Sequence, residues 1–187
     1  DKSNAQDKRS LGGKILRITP SGTPAPGNPD PSSPIWTLGH RNVEGLAFDR
    51  DGRLWASEFG DKKADELNLI RRGGNYGWPI VEGTGGVGQG YVDPKVTWAV
   101  ADACPSGIGY TTGTIWLAGL RGERLWRVRV RGSRTVGAPK AFFTSEYGRL
   151  RAVQPAPDGS LWLATSNTDG RTSPRPGDDR ILRLALT

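Results

Sequence analysis

The chain has 187 residues, 27 of them glycine and 14 proline, with seven tryptophans and a formal net charge of +7. This length allows one domain with a hydrophobic core, and the tryptophans and regular apolar runs argue against disorder, because such side chains are usually buried. Frequent glycine and proline disfavour long helices, and no apolar run reaches the ~18 residues of a membrane span.

Strand patterns dominate, beginning with a short apolar segment at 14–18. Segments 45–58 and 152–165 are near copies of each other: each reads as a strand, an Asp-Gly turn and a second strand containing Leu-Trp. Asp-Gly between alternating apolar residues is a strong hairpin signal. Segment 107–118 is a looser copy that turns at a glycine before Ile-Trp. The sequence therefore predicts three β-hairpins.

A second motif, basic-apolar-apolar-Arg-apolar, recurs at 14–18, 124–128 and 180–184, and 66–70 occupies the equivalent place after the first hairpin. The hairpins start near residues 45, 107 and 152, so their spacing brackets the roughly 40–50 residues of a propeller blade. We predict an all-β fold in one segment, 1–187: about three blades of a β-propeller, each a four-stranded antiparallel sheet. The expected bounds are 13–18 for the closing strand of a preceding blade and about 43–80, 92–131 and 148–187 for the blades.

Three blades cannot close a ring, because closed propellers use about four to eight. Two interpretations follow: a second copy completes the ring, or the chain is about half of a longer one. We favour the longer chain.

The basic residues are mostly arginine, 19 of 26. An arginine excess indicates bidentate anion contacts or salt bridges, and a solvated basic face is the other interpretation. Only the alternating strand at 124–131 gathers basic residues near an aromatic one, so no nucleic-acid partner is predicted. Cys104 has no second cysteine to pair with, so it indicates neither a disulfide framework nor a metal site.

Nine short phrases, in order along the chain, resemble the soluble PQQ-dependent sugar dehydrogenases, the glucose/sorbosone dehydrogenase family. They lie at 4–7, 10–18, 39–42, 45–48, 65–68, 74–79, 105–107, 119–122 and 148–151. Each phrase is weak alone, and the ordered set is specific. The resemblance implies a six-bladed propeller, of which this chain is the C-terminal half.

The resemblance also implies a cofactor, pyrroloquinoline quinone (PQQ), whose three carboxylates need fixed cations. Arginine suits planar, bidentate carboxylate recognition. The family's cofactor-facing phrases map onto Arg41, Asn42, Arg149 and Arg151, and Arg121 stands where the family commonly has lysine. The alternative is that these arginines form ordinary salt bridges.

Calcium is the second cofactor that the resemblance implies. The loop 58–66 offers four carboxylates and a glycine, in keeping with the oxygen ligands of Ca²⁺. Gly60 and Asp61 match the family's cofactor-linked metal loop, although Phe59 and Asp61 depart from its pattern. Glu66 and the carbonyl of Tyr76 match a separate structural calcium site. The alternative is that the acidic residues cap a turn.

His40 is the only histidine, but the family's general base lies in an upstream blade, so His40 is expected to pack a loop. We therefore predict no catalytic residue in this chain, which alone would be incomplete and inactive.

The predicted function is a quinoprotein oxidoreductase segment that oxidises an aldose hydroxyl to a lactone, with PQQ as hydride acceptor and the general base in the missing N-terminal half. It would pass electrons to an external acceptor, in a secreted or cell-envelope location. One alternative is a non-catalytic propeller of the same ancestry that binds carbohydrate or protein. Another is a lactonase-like propeller with a central calcium, which the arginine-rich phrases fit poorly.

Overall fold

The computed structural model describes residues 1–186, which contain fourteen β-strands in four sheets of antiparallel strands. Two single-turn 3₁₀ helices, Lys2–Ala5 and Val87–Gln89, are the only helices in this described part of the chain. None of them is long and apolar enough to cross a membrane. The predicted all-β fold with antiparallel sheets is confirmed.

The strands fall into four sheets in chain order. Sheet 1 consists of β1 (Lys14–Leu16) and β2 (Ile35–Leu38). Sheet 2 consists of β3 (Val43–Phe48), β4 (Leu54–Glu58), β5 (Asp65–Ile70) and β6 (Val96–Trp98). Sheet 3 consists of β7 (Pro105–Thr111), β8 (Thr114–Gly119), β9 (Arg124–Arg131), β10 (Arg134–Thr135) and β11 (Lys140–Phe142). Sheet 4 consists of β12 (Leu150–Pro155), β13 (Leu161–Thr165) and β14 (Ile181–Leu184).

The three hairpins place a tryptophan at the same position of their second strands. Trp55 is opposite Ala47, Trp116 is opposite Gly109, and Trp162 is opposite Gln154. The register follows from the tight glycine-containing turns, which fix strand pairing in short hairpins. Trp55, Trp116 and Trp162 therefore mark three structurally equivalent positions.

The strands differ from the expected bounds at three points. Strand β2 adds 35–38 to sheet 1, and β10 and β11 extend sheet 3 to residue 142. The expected bounds also place 92–98 in the following blade, whereas β6 pairs with β5, with Trp98 opposite Asp65. Trp98 is buried in one core cluster with Trp55, so burial of this large side chain favours the pairing. The connection 71–95 is long and contains several glycine turns, so the sequence does not specify which strand β6 pairs with.

Besides a smaller cluster that joins Ile15 of sheet 1 to Ala56 and Ile70 of sheet 2, two hydrophobic cores lie between neighbouring sheets. Side chains of sheets 2 and 3 form the first core, which contains Trp55, Leu67, Ile115 and Val128. Trp116 and Leu125 of sheet 3 pack with Leu150, Leu161 and Leu163 of sheet 4 in the second. The sheets therefore stack face to face, and each of the first two hairpin tryptophans points toward the sheet that follows it.

The first strands of sheets 2, 3 and 4 approach one another closely. A Cβ on Gly45 of β3 would lie 2.7 Å from the carbonyl oxygen of Ser106, and a Cβ on Gly107 of β7 would lie 3.1 Å from Cα of Ala152. Ser57 also donates a hydrogen bond to the Ser106 carbonyl across the interface, at 2.6 Å. These inner strands start at the same end of the stack, which brings the segments before them together.

The two outer faces of the stack expose apolar side chains. Leu46 and Phe48 on β3 are 51% and 67% exposed, and Trp162 on β13 is 45% exposed. Sheet 1 packs on only part of the face that carries Leu46 and Phe48, and no sheet within residues 1–186 covers Trp162.

Candidate functional site

All the predicted site residues lie at the end of the stack where the inner strands begin. We call this end the loop face; it is formed by 39–42, 59–64, 103–104, 120–123 and 166–180. The opposite end, which we call the turn face, carries the turns 49–53, 112–113, 132–133 and 156–160. In an antiparallel sheet, successive connections between strands lie at opposite ends of the sheet, so the loop face and the turn face are separate.

Arg41 is held in place on several sides. Its guanidinium donates hydrogen bonds to the carbonyl of Phe59 at 3.0 Å and to Asp61 at 3.2 Å. It also lies over the rings of Phe59 and Trp78, at 5.3 and 5.6 Å from the ring centroids. Such cation–π contacts favour a fixed cation. Arg41 is therefore presented in one orientation beside Asn42.

Asp61 is the counterion of this arrangement. One carboxylate oxygen accepts from Arg41 and the other from Lys2, at 3.0 Å. The hydrogen bond from Lys2, together with the charge of Arg41, holds the pKa of Asp61 below its usual range. With its charge committed to two cations, Asp61 does not fit the role of metal ligand, and the Gly60 amide beside it donates to Asp65.

Arg149 is held in the same manner from sheet 4. Its Nε and Nη2 donate to one oxygen of Asp169 at 3.2 and 3.0 Å, and its amide donates to the side chain of Asn167 at 2.8 Å. The Arg41 amide likewise donates to the carboxylate of Glu58. In both cases the paired aspartate lies 20 residues after the arginine. We call Arg41–Asp61 and Arg149–Asp169 the two arginine–aspartate clips.

Glu44 connects two further predicted residues. Its carboxylate accepts from Asn42 at 2.8 Å and pairs with Arg151 at 3.5 Å. This brings together the beginnings of β3 and β12. The sequence analysis missed Glu44, although an isolated acid within an otherwise apolar hairpin strand is a usable signal.

Arg121 is exposed and has no ion-pair partner within the described residues. Its backbone amide donates to the thiol of Cys104, whose own amide donates to Asp65 at 2.6 Å. Burial raises the pKa of this thiol, which also feels the charges of Arg149 and Glu44. Cys104 therefore lies among the predicted cofactor residues, a placement that the sequence analysis did not foresee.

His40 has no free ring nitrogen. One nitrogen bonds to Glu58 and the other to Thr37, each at 2.8 Å, and the ring stacks on Tyr76 at 4.5 Å. The side chain is buried. His40 and Glu58 together fix the backbone that leads into Arg41.

Glu66 lies in a second buried polar group. Its carboxylate accepts from the Gly83 amide at 2.7 Å and from Asn68 at 2.9 Å. Burial, reinforced by the charge of Glu58, raises the pKa of Glu66 to about 7. The side-chain oxygen of Asn68 is buried without a hydrogen-bond partner. The Glu66 carboxylate is costly to ionise where it is buried, and the Asn68 oxygen lacks a donor. A bound cation would stabilise both groups, and a proton on Glu66 would remove the cost of its charge.

The ligand set for a metal is nevertheless small. A cavity of about 10 Å³ is lined by Glu58, Glu66 and Glu82, but Glu82 already accepts from the four amides of residues 61–64. Within residues 1–186, no group of three or more His, Cys, Asp or Glu side chains is arranged to hold a metal. The Tyr76 hydroxyl is bonded to the backbone at Leu69 and Arg71, so only its carbonyl could serve.

The loop face has the chemistry for an anionic, planar ligand. Beside Arg41 and Asn42 a cavity of about 500 Å³ is walled by Phe59 and Trp78. With Arg121, Arg149 and Arg151 on the same face, the described residues offer four guanidinium groups. These groups fit a ligand with several carboxylates.

The family profile described as Glucose / Sorbosone dehydrogenase matches residues 1–182. A structure of the PQQ-bound form of aldose sugar dehydrogenase from Streptomyces coelicolor is 58% identical, with a TM-score of 0.96 over 98% of this chain and 55% of that chain. A putative oxidoreductase (glucose dehydrogenase) from Thermus thermophilus is 44% identical, with a TM-score of 0.88 over 99% of this chain and 59% of that chain.

The aldose sugar dehydrogenase YliI of Escherichia coli is 28% identical over 91% of this chain and 53% of its own length. The chain thus spans about half the length of the relatives that it matches. Its antiparallel sheets match the propeller of the glucose dehydrogenase structures, which confirms the predicted fold. The chain belongs to the glucose/sorbosone dehydrogenase family.

Proposed function

We propose that this chain forms the anion-binding half of a PQQ-dependent aldose dehydrogenase. The observation that supports this proposal most directly is the set of guanidinium groups on the loop face, where Arg41 and Arg149 are held by equivalent arginine–aspartate clips. Its similarity to a dehydrogenase solved in PQQ-bound form supports the cofactor.

The residues of this chain would bind and orient. Arg41, Arg121, Arg149 and Arg151 would hold the carboxylates of the cofactor, and Asn42 would donate a hydrogen bond at its edge. PQQ, when bound, supplies a quinone that can accept a hydride from the carbon bearing the reacting sugar hydroxyl, while the hydroxyl proton passes to the general base. The apolar faces of Phe59 and Trp78 would exclude water beside Arg41, which strengthens its attraction for an anion. The general base would come from outside this chain.

The ring would be completed by further blades. An apolar groove of about 870 Å³ runs between sheet 1 and β3, lined in part by Ile15, Trp36, Leu46 and Phe48. At the other end of the stack Trp162 is uncovered. Sheet 1 has only two strands, so an inner hairpin would fill this groove. We favour the remainder of a longer chain over a second copy, because the relatives are about twice as long.

For calcium, we propose that Glu66 and the Tyr76 carbonyl contribute to a structural site. The raised pKa of Glu66 and the unpartnered oxygen of Asn68 support it. We do not extend the proposal to Gly60 and Asp61, because the Asp61 carboxylate is paired with Lys2 and Arg41 and does not fit a metal ligand.

The substrate would be an aldose, the product a lactone and the final oxidant an external electron acceptor, in a secreted or cell-envelope setting. The second candidate function is a non-catalytic binding propeller. This alternative is supported by Asp61, which stands where the family pattern has proline. Its carboxylate neutralises Arg41, one of the predicted cofactor-binding arginines.

Titration of the full-length apoprotein with PQQ and calcium tests the proposal. Binding should shift the quinone absorbance and produce sugar-dependent dye reduction. Arg149→Gln with Arg151→Gln should weaken PQQ binding about a hundredfold, since two charge-assisted contacts are lost. Arg129→Gln with Arg134→Gln, at two exposed arginines of sheet 3, makes the same charge change away from the loop face and should leave PQQ binding unaltered. Absence of PQQ binding in the full-length protein would favour the non-catalytic alternative.

A further inference from the structure

We propose that the turn face carries a second anion site, at the junction of sheets 2 and 3, that binds a phosphate or sulfate group through Arg50, Arg53 and Arg131. A cavity of about 250 Å³ lies there between the β3–β4 turn and strands β7 and β9. Its lining contains these three arginines and the hydroxyls of Tyr110 and Thr112, with no acidic side chain.

Arg53 is positioned before any ligand arrives. The buried carboxylate of Asp49 accepts from its Nε at 2.8 Å and from its amide at 3.0 Å, and Asp51 accepts from Nη2. Nη1 has no hydrogen-bond partner within the described residues and lies 4.0 Å from the Cβ position of Gly132. A fixed guanidinium with one free nitrogen can bind an anion without losing much side-chain entropy.

The hydroxyl of Tyr110 adds a directed donor. Its oxygen accepts from the Gly113 amide at 3.2 Å, which leaves its own proton available. Gly113 also accepts from the Val130 amide at 2.8 Å, so this wall of the cavity is tied to β9.

Cations accumulate on β9 without counterions. Arg131 is opposite Arg134, and Arg127 is opposite Lys140. None of these four has an ion-pair partner among the salt bridges of residues 1–186. Like charges directly opposite each other destabilise a sheet, and an anion bound beside Arg131 would relieve the repulsion between Arg131 and Arg134. Asp51 at the rim is shared by Arg50 and Arg53, so a positive excess remains.

The site is independent of the loop face. All of its residues come from two neighbouring sheets, and it lies at the other end of the strands from Arg41 and Arg149. Three arginines and a hydroxyl donor around one cavity fit a tetrahedral oxyanion with several acceptor oxygens. The source is either a free ion or the phosphate group of a sugar phosphate.

The test is ³¹P NMR and calorimetry on the full-length protein at constant ionic strength, with inorganic phosphate and glucose 6-phosphate as probes and glucose as a blank. We expect saturable binding of both phosphates. Arg131→Gln and Arg50→Gln should each weaken it about tenfold, because each removes a charge-assisted contact. Arg171→Gln, on the loop face, makes the same charge change and should leave binding unaltered. Circular dichroism checks that each variant is folded.

Tighter binding of glucose 6-phosphate than of phosphate would support the site and identify a sugar phosphate as the ligand, and equal affinities would support recognition of the anion alone. Equal weakening by Arg171→Gln would overturn the proposal, because it would indicate diffuse attraction to a basic surface. Absence of saturable binding by either phosphate would overturn it as well.

Discussion

The hairpins β3–β4 and β12–β13 are near copies in sequence and differ sharply in environment. Trp55 of the first is fully buried, whereas Trp162 at the equivalent position is 45% exposed. Sheet 3 packs on the Trp55 face of the first hairpin, whereas it packs on the opposite face of the second hairpin, and no sheet within residues 1–186 covers the face that carries Trp162. The repeat pattern determines the hairpin and its register, and the neighbouring sheet determines whether its tryptophan is buried.

The aspartates of the two turns show the same contrast. Asp49 is buried and accepts from the indole of Trp55 at 3.0 Å and from Arg53 at 2.8 Å. Asp158 is exposed, and it accepts from Ser160 and Arg183. The two aspartates are not at equivalent positions, because Asp49 aligns with Ala156, and Asp158 aligns with Asp51 of the shared Asp-Gly turn. The first copy therefore has a buried acceptor that the second copy lacks.

The largest expected difference is between the two tryptophans. In the 187-residue chain, Trp55→Ala should lower the free energy of unfolding by about 3–5 kcal/mol, because it empties a packed core position. Trp162→Ala should cost much less, since its ring is half exposed. Urea unfolding followed by circular dichroism measures both. Equal losses would show that Trp162 is covered in solution, by a second copy or by another segment.

The second largest expected difference is between the stability costs of replacing Asp49 and Asp158. Asp49→Asn should cost about 2–3 kcal/mol at neutral pH, because Trp55 and Arg53 lose a charged acceptor. Burial opposes ionisation of Asp49, but the hydrogen bonds from Trp55 and Arg53 outweigh it and lower the pKa. The native-state stabilisation is therefore complete above about pH 4, the ordinary aspartate pKa, and disappears as the pH falls through the lowered value.

Asp158→Asn, the same change at an exposed turn aspartate, is the control, and it should have a small effect on urea unfolding at neutral pH because its partners remain solvated. If Asp49→Asn were equally costly at neutral pH and at about pH 2, the charge of Asp49 would not be the source of its stabilisation.

Much of the fold followed from sequence because its signals are local. Asp-Gly turns and alternating apolar residues determine hairpins within about a dozen residues. The pairing of β6 could not be predicted, because a 25-residue connection with several glycine turns separates it from β5, and burial of Trp98 decides its position.

For the candidate site, motif matching placed the predicted arginines on one face. It missed Glu44, Asp169 and Cys104, whose roles depend on contacts between separate sheets and loops. The carboxylate partner of each arginine is a tertiary property, and no local pattern in the sequence specifies it.

The smallest expected effect is on PQQ affinity, when the aspartate of either arginine–aspartate clip is changed. The two arginines differ in the contacts that they make besides their aspartates. Arg41 also lies over Phe59 and Trp78, whereas the Arg149 guanidinium is bonded to Asp169 alone. Asp61→Asn should therefore leave Arg41 in place, release it and Lys2 from a competing carboxylate, and tighten PQQ binding to the full-length protein about two- to fivefold. Asp169→Asn removes the carboxylate that competes with PQQ for Arg149, but it also removes the contact that positions Arg149. The PQQ affinity of this variant should therefore stay near that of the wild type. Absorbance titration with PQQ measures both variants, and equal gains would show that aromatic contacts do not position Arg41.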